Sequence, residues 1–279
     1  MEMLNTTALL EAGSALAEHT FITPESSPYV VVPEGYKIED VEHLLEVPKR
    51  ARGRAVMTDA ASFSTYVQKH DNNQSIILYA DVKYQAYQCV LLGILNDHEG
   101  IVEPGWRDFT VRYEPVKSVE WNNWLGSNTR QMSQTDFAAF IEENMGDIAS
   151  VEGMPTGTQM LEMALQFEAT SDKRFKSKIN LQGGGVELVY VDQDDAQTQS
   201  TMRLFERFTI GLPVFEGGDS RYPLVARLKY RNKDGKLVFW YELVRADKVF
   251  RAAVTEELDK IKAALPNCDI LNGAPGVVA

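Results

Sequence analysis

The stretch M-S-Q-T-D-F-A-A-F-I-E-E-N-M, Met132 to Met145, decides the fold class. Ser133 followed by Asp136 has the spacing of a capping box, which supplies acceptors to the free backbone N–H groups of a first helical turn. Phe137, Phe140, Ile141 and Met145 recur at helical spacing and predict one apolar stripe, with Glu142, Glu143 and Asn144 off it and the two carboxylates on a solvated face. Gly146 fits the C-terminal end. Upstream, Val119 to Leu125 carries Trp121 and Trp124 and predicts a turn or short helix. Downstream, Thr156 with Gln159 repeats the capping pattern before Met160, Leu161, Ala164, Leu165 and Phe167. The methionines at 145, 154, 160 and 163 read as adaptable core filling.

Strands flank this helical block. Ser75 to Tyr84, Tyr87 to Leu95 and Asp108 to Val116 are rich in β-branched and aromatic residues and predict an antiparallel meander. Phe175–Leu181, Val186–Val191, Met202–Leu212, Tyr222–Arg231 and Leu237–Arg245 predict a second group, with hairpin turns at Gly183–Gly185 and Lys233–Gly235. Asp247 to Leu265 predicts a closing helix. Before the meander come a helix over 2–18, a Pro-rich extended stretch with an edge strand at Tyr29–Val32, a brief helix at Glu39–Glu46, and a capped helix from Thr58 and Ala61 to His70. Strands and helices are segregated rather than alternating. The expected class is therefore α+β, with antiparallel sheets, a central helical block and a C-terminal helix packed on the sheet. The expected division is an N-terminal helix over 1–20, one domain over 21–265 with sub-parts 21–172 and 173–265, and a tail over 266–279.

The chain has 279 residues and a net charge of −12, placed unevenly. Residues 1–172 hold 11 Lys and Arg against 26 Asp and Glu, or −15; residues 173–251 hold 15 against 10, or +5; the remainder holds 2 against 4, or −2. No apolar run reaches the ~20 residues of a membrane helix, and the acidic start lacks a signal peptide's pattern. Two isolated cysteines, Cys89 and Cys268, fit a reducing compartment. These features lead to the expectation of a cytoplasmic protein with no membrane partner.

Chemistry is hard to find in the residues. The turn Q-G-G-G-V lacks phosphate-loop spacing and precedes a strand. His19, His43, His70 and His98 form no zinc-ligand spacing. Asp97-His98-Glu99 approaches a metal cluster, but adjacent side chains diverge. No nucleophile elbow is present, so no catalytic residue, metal or cofactor is assigned. One pattern stands out. Arg227, Lys229 and Arg231 alternate with Leu228 and Tyr230 at the strand period of two, which places the cations on one face. Lys176 and Lys178 repeat the alternation on an earlier strand, and Arg203 and Arg207 on a third. If these strands shared a sheet, its outer side would be a basic stripe for phosphates or an acidic protein, with Tyr222, Tyr230, Phe239 and Trp240 available for stacking. The acidic first half could itself be the partner, within one molecule or across a homo-oligomer.

Several long strings resemble a phage and prophage family of unknown function, the YfdQ-like proteins. They include V-V-V-P-E-G-Y-K-I-E-D-V-E from Val30, P-K-R-A-R-G near Pro48, D-A-A-S-F-S-T-Y-V-Q-K-H ending at His70, E-W-N-N-W at Glu120, the opening helix, L-P-V-F-E-G-G-D-S-R-Y-P-L-V-A-R-L-K-Y-R at Leu212–Arg231, and N-G-A-P near Gly273. The resemblance covers about residues 20–275. It implies a phage-encoded accessory protein of the host-cell cytoplasm and carries over no catalytic residue. The leading expectation is a non-enzymatic protein that binds a protein or nucleic-acid partner as a homo-oligomer. Two alternatives are a single-strand DNA-binding recombination accessory and an acidic DNA mimic or host-defence inhibitor. An enzyme would instead show a deep pocket lined by convergent polar side chains.

Overall fold

The structure, a computed structural model, describes residues 20–21, 29–30, 37, 42–71, 75–166, 176–179, 185–189, 201–233 and 236–276. The helix expected over 2–18 and the polar loop 192–200 lie outside them. Two units form, Met1–Ala51 and Arg52–Ala279. In the first, β1 (Thr20–Phe21) pairs antiparallel with β2 (Tyr29–Val30). Among the described residues of the helix expected at Glu39–Glu46, Glu42–Leu44 form a 3-10 turn, and Glu42 Oε1 accepts from the Lys49 N–H at 2.9 Å.

The second unit runs β3 (Gly53–Met57), α1 (Ala60–Lys69), β4 (Ile77–Lys83), β5 (Gln88–Ile94), β6 (Phe109–Tyr113), α2 (Val119–Gly126), β7 (Met132–Ser133), α3 (Gln134–Glu143) and α4 (Gly157–Gln166). It continues with β8 (Lys176–Ile179), β9 (Gly185–Val189), β10 (Thr201–Phe205), β11 (Arg207–Leu212), β12 (Tyr222–Lys233), β13 (Lys236–Leu243), α5 (Ala246–Ala264) and β14 (Asp269–Asn272). The class is α+β. The first strand group is the antiparallel meander β4-β5-β6, widened by parallel neighbours into the order β14-β4-β5-β6-β3. The second group splits into a four-stranded antiparallel sheet, β11-β12-β13-β7, and a three-stranded one, β10-β9-β8.

The helical block forms as its caps dictate. Ser133 Oγ accepts from the Asp136 N–H at 3.2 Å and donates to the Asp136 carboxylate at 2.8 Å. Phe137 and Ile141 are buried, whereas the helix ends at Glu143 and leaves Met145 exposed in a 3-10 turn. The stop has a local cause: Asn144 turns its side-chain amide back onto the Phe140 carbonyl, 2.8 Å away. In α4 the buried side is Met160, Met163 and Ala164, and Leu165 faces water. Thr156 and Gln159 cap it reciprocally, the Gln159 N–H to Thr156 Oγ1 at 3.3 Å and the Thr156 N–H to Gln159 Oε1 at 2.9 Å. Thr156→Ala is expected to cost about 1 kcal/mol in urea unfolding, by removing one acceptor from an otherwise orphaned turn. The cap of α1 is Asp59, whose Oδ1 accepts from the Ser62 N–H at 2.7 Å, rather than Thr58.

One apolar core joins the two larger sheets. Trp124 on α2 is fully buried, its ring 5.0 Å from Phe140, 5.3 Å from Tyr241 and 5.8 Å from Phe208. Helix α5 completes the bridge. Its Phe250 meets Trp121, Tyr87 and Phe215, and the Ala264 carbonyl accepts from Gln68 of α1. On the outer face of the four-stranded sheet Arg207, Arg227, Lys229 and Arg231 are exposed, whereas Thr209 is buried and Trp240 and Glu242 are half-buried.

Candidate functional site

Strand β12 alternates as its sequence requires: Leu224, Ala226 and Leu228 are buried, and Arg227, Lys229 and Arg231 are exposed. The antiparallel register sets Arg207 of β11 directly opposite Arg227, and Glu242 of β13 on the other side of Arg227. Trp240, half-buried on that face, pairs with Lys229, and the Arg231 guanidinium lies 5.8 Å from its ring centroid. Arg231 also donates to Gln131 Oε1 at 2.6 Å. Among the described residues, Arg207, Arg227 and Lys229 close no ion pair. Directly opposed residues bring their Cβ atoms to about 5 Å. Arg207 and Arg227 are thus neighbouring cations on one face, and an anion seated between them would be favoured by both.

The seven cations expected to form one stripe are divided by the fold. Arg207, Arg227, Lys229 and Arg231 share the four-stranded sheet. Lys176, Lys178 and Arg203 belong to the three-stranded sheet, where Lys178 and Arg203 are both register partners of Glu187. The segment Met202–Leu212, expected as one strand, breaks at Glu206 into β10 and β11. At that break a groove of about 660 Å³ opens between Phe205–Arg207 and Arg227–Tyr230.

A second site was not foreseen from the sequence. Where β6, α1, the 215–220 loop, β12 and α5 meet, a cleft of about 240 Å³ is lined by convergent polar groups. Glu256 Oε2 accepts from the Tyr222 hydroxyl at 2.5 Å, and its Oε1 accepts from Ser220 Oγ at 2.8 Å and lies 3.1 Å from Lys260 Nζ. Glu257 accepts from the Tyr113 hydroxyl at 2.7 Å and lies 3.6 Å from the same ammonium. The hydroxyl partners lie 34 to 144 residues from the carboxylates, too far for any short motif to show, whereas Lys260 follows Glu256 and Glu257 at helical spacing on α5. The bonds from Tyr222, Ser220 and Lys260 hold the Glu256 carboxyl down at about 2. Burial first, then the bond to Glu256, pushes the Tyr222 phenol up to about 12. A carboxylate that weakly basic is a poor proton acceptor at neutral pH, and its lone pairs are already engaged. The cleft ties α5 to both sheets instead.

The linkage follows from the sign of that shift. A carboxyl held below its usual 4.5 stabilises the fold above that pH, and the contribution is lost as pH falls from about 4.5 towards 2. Urea midpoints measured from pH 7 to pH 3 should therefore fall steeply in the wild type. They should fall less in Glu256→Gln, which starts lower at pH 7.

Other reactive groups are engaged or quenched. Burial, helped by Glu257, Asp81 and Glu114, pushes the Cys89 thiol up to about 12, which leaves it un-ionised at neutral pH. Asp97 meets Arg107 Nε at 2.8 Å, and His98 Nδ1 accepts from the Gly105 N–H at 3.0 Å. Among the described residues, no group of three or more His, Cys, Asp and Glu side chains could hold a metal ion. No helix among them is long and apolar enough to cross a membrane.

Comparison with curated proteins and with solved structures finds no match. Residues 3–275 do match the family described as uncharacterized conserved protein DUF2303, and the chain belongs to that family.

Proposed function

We propose that this protein is a non-enzymatic binding protein that holds the phosphate backbone of single-stranded nucleic acid on the outer face of its four-stranded sheet. The observation that carries the reading is the cross-strand pair Arg207–Arg227, exposed, in register and followed by Lys229. A planar guanidinium presents a fork of donors that matches phosphate oxygens. Trp240 on the same face offers a surface for a base. Glu242 and Glu206 offset part of the charge, so binding is moderate and sensitive to salt. The resemblance to YfdQ-like proteins supports reading this activity as an accessory function of a phage or prophage in the host-cell cytoplasm.

The acidic-mimic alternative draws less support. Among the described residues of the acidic half, Asp81, Asp97 and Glu114 each pair with a neighbouring cation rather than standing free in a phosphate-like row. Titration of a short fluorescent oligothymidylate with the protein tests the proposal. Saturable binding that weakens with salt supports it, and no binding at low salt overturns it.

A further inference from the structure

The loop joining β5 to β6 displays at its tip Ile101, at 101% relative exposure, and Val102, at 90%. Apolar tips in water are usually loose, but this one is built. The Glu99 N–H donates to the Glu103 carbonyl at 2.8 Å, the two residues pair as an antiparallel bridge, and Gly100 turns the chain at φ +78°. A Cβ at Gly105 would lie 2.3 Å from the carbonyl oxygens of Asn96 and Asp97, so only glycine lets the loop's two arms close. Below them sits the Asp97–Arg107 pair at 2.8 Å, and Asn96 bonds both Asp108 and the Phe109 N–H. The scaffold holds two aliphatic side chains where they bury nothing within the unit.

The flanks of the tip say what it fits. Glu99 and Glu103 are exposed on either side of Ile101 and Val102, so an anionic lipid surface would repel it. A complementary partner has an apolar pocket inside a cationic rim. The groove beside β11 has that composition. Its lining combines the apolar Phe205, Leu228 and Tyr230 with the cationic Arg207, Arg227 and Lys229 and a single carboxylate, Glu206, while Glu242 neighbours Arg227 from β13.

The geometry points to a head-to-tail contact between two copies of this chain. The Ile101–Val102 tip of one copy enters the Phe205–Leu228–Tyr230 groove of the next, and Glu99 and Glu103 meet the cations of the rim. This contact rests on the reading of the basic face as a contact surface, with the acidic tip as its occupant in the absence of nucleic acid. Tip and groove are different patches, so each added copy leaves one of each open and assembly proceeds to a ring or a filament. Because the same cations serve both ligands, oligonucleotide and a second copy compete for one groove.

Sedimentation velocity over a range of protein concentrations tests this with two double variants of the full chain. Wild type should grow in mass with concentration and shrink with salt. Ile101→Asp with Val102→Asp, and Arg227→Glu with Lys229→Glu, should each weaken self-association at least tenfold, with thermal melts unchanged because the altered side chains are exposed. An equimolar mixture of the two variants retains one intact tip and one intact groove, and should form a heterodimer and nothing larger. A wild-type monomer at every concentration, a tip variant that associates like wild type, or a mixture that stays monomeric would each overturn the contact. The tip variant should keep full oligonucleotide affinity. Self-association without oligonucleotide binding defeats the nucleic-acid reading alone, and the converse defeats the self-contact alone.

Discussion

Trp124→Ala is expected to remove about 4 kcal/mol of stability and to bring the second unit close to unfolding at ambient temperature. Burying a large aromatic among Phe140, Phe208 and Tyr241 and then deleting it leaves a cavity that rigid neighbours cannot fill, at roughly 3–5 kcal/mol. A second loss adds to it. Trp124 Nε1 donates to Asp147 Oδ2 at 2.9 Å, and burial already pushes that carboxyl above its ordinary range while the indole bond holds it down. Without the indole, a partly buried acceptor has no compensating donor, at roughly 1–3 kcal/mol. Domains of this size have only about 5–15 kcal/mol in hand. Trp124→Phe keeps one six-membered ring, loses the donor and leaves a smaller void, so it should cost roughly 2–3 kcal/mol. Urea midpoints at constant slope distinguish the two, and an alanine variant with the wild-type midpoint would show that Trp124 does not hold α2 and α3 on the four-stranded sheet.

Reversing Arg207, Arg227 and Lys229 to Glu together is expected to weaken oligonucleotide binding on the order of 100-fold at low salt, because three phosphate contacts become repulsions. The effect should be graded. Arg227→Glu, at the centre of the face, should cost most among single changes. Arg231→Glu should cost least, because that guanidinium is already held by Gln131 and Trp240. The fold should survive these reversals, since the altered side chains are exposed. Fluorescence anisotropy gives the affinities, and unchanged binding in the triple variant would remove this face from the proposal.

Local signals in the sequence carried much of this fold. The helical block, the meander and the closing helix follow from caps and periodicity, because those forces act within a few residues. Strands β3 and β14 were invisible for the opposite reason. Gly53–Met57 and Asp269–Asn272 are short and largely exposed, and each exists only through a parallel partner more than 50 residues away. The break at Glu206 is also tertiary: β12 takes the Leu228 N–H to the Glu206 carbonyl at 2.9 Å just where β11 begins. For the candidate site, period-two alternation exposed Arg227, Lys229 and Arg231, but not that Arg207 would sit opposite Arg227 while Lys176, Lys178 and Arg203 joined another sheet. Register between strands is set by packing and turns rather than by composition. The polar cleft around Glu256 was hidden for the same reason, since Tyr113, Ser220 and Tyr222 reach Glu256 and Glu257 only in three dimensions.

The most direct test of the nucleic-acid reading is the salt dependence of oligothymidylate affinity between about 50 and 200 mM monovalent salt. With Arg207, Arg227, Lys229 and Arg231 as the contacts, log affinity should fall against log salt with a slope of about −3, at ~0.7 per phosphate contact for a single strand. Loss of the three reversed cations leaves Arg231 and should bring that slope to about −0.7 or shallower. A wild-type slope near zero, or a slope of about −3 that survives the triple reversal, would contradict the assignment of this sheet face as the binding surface.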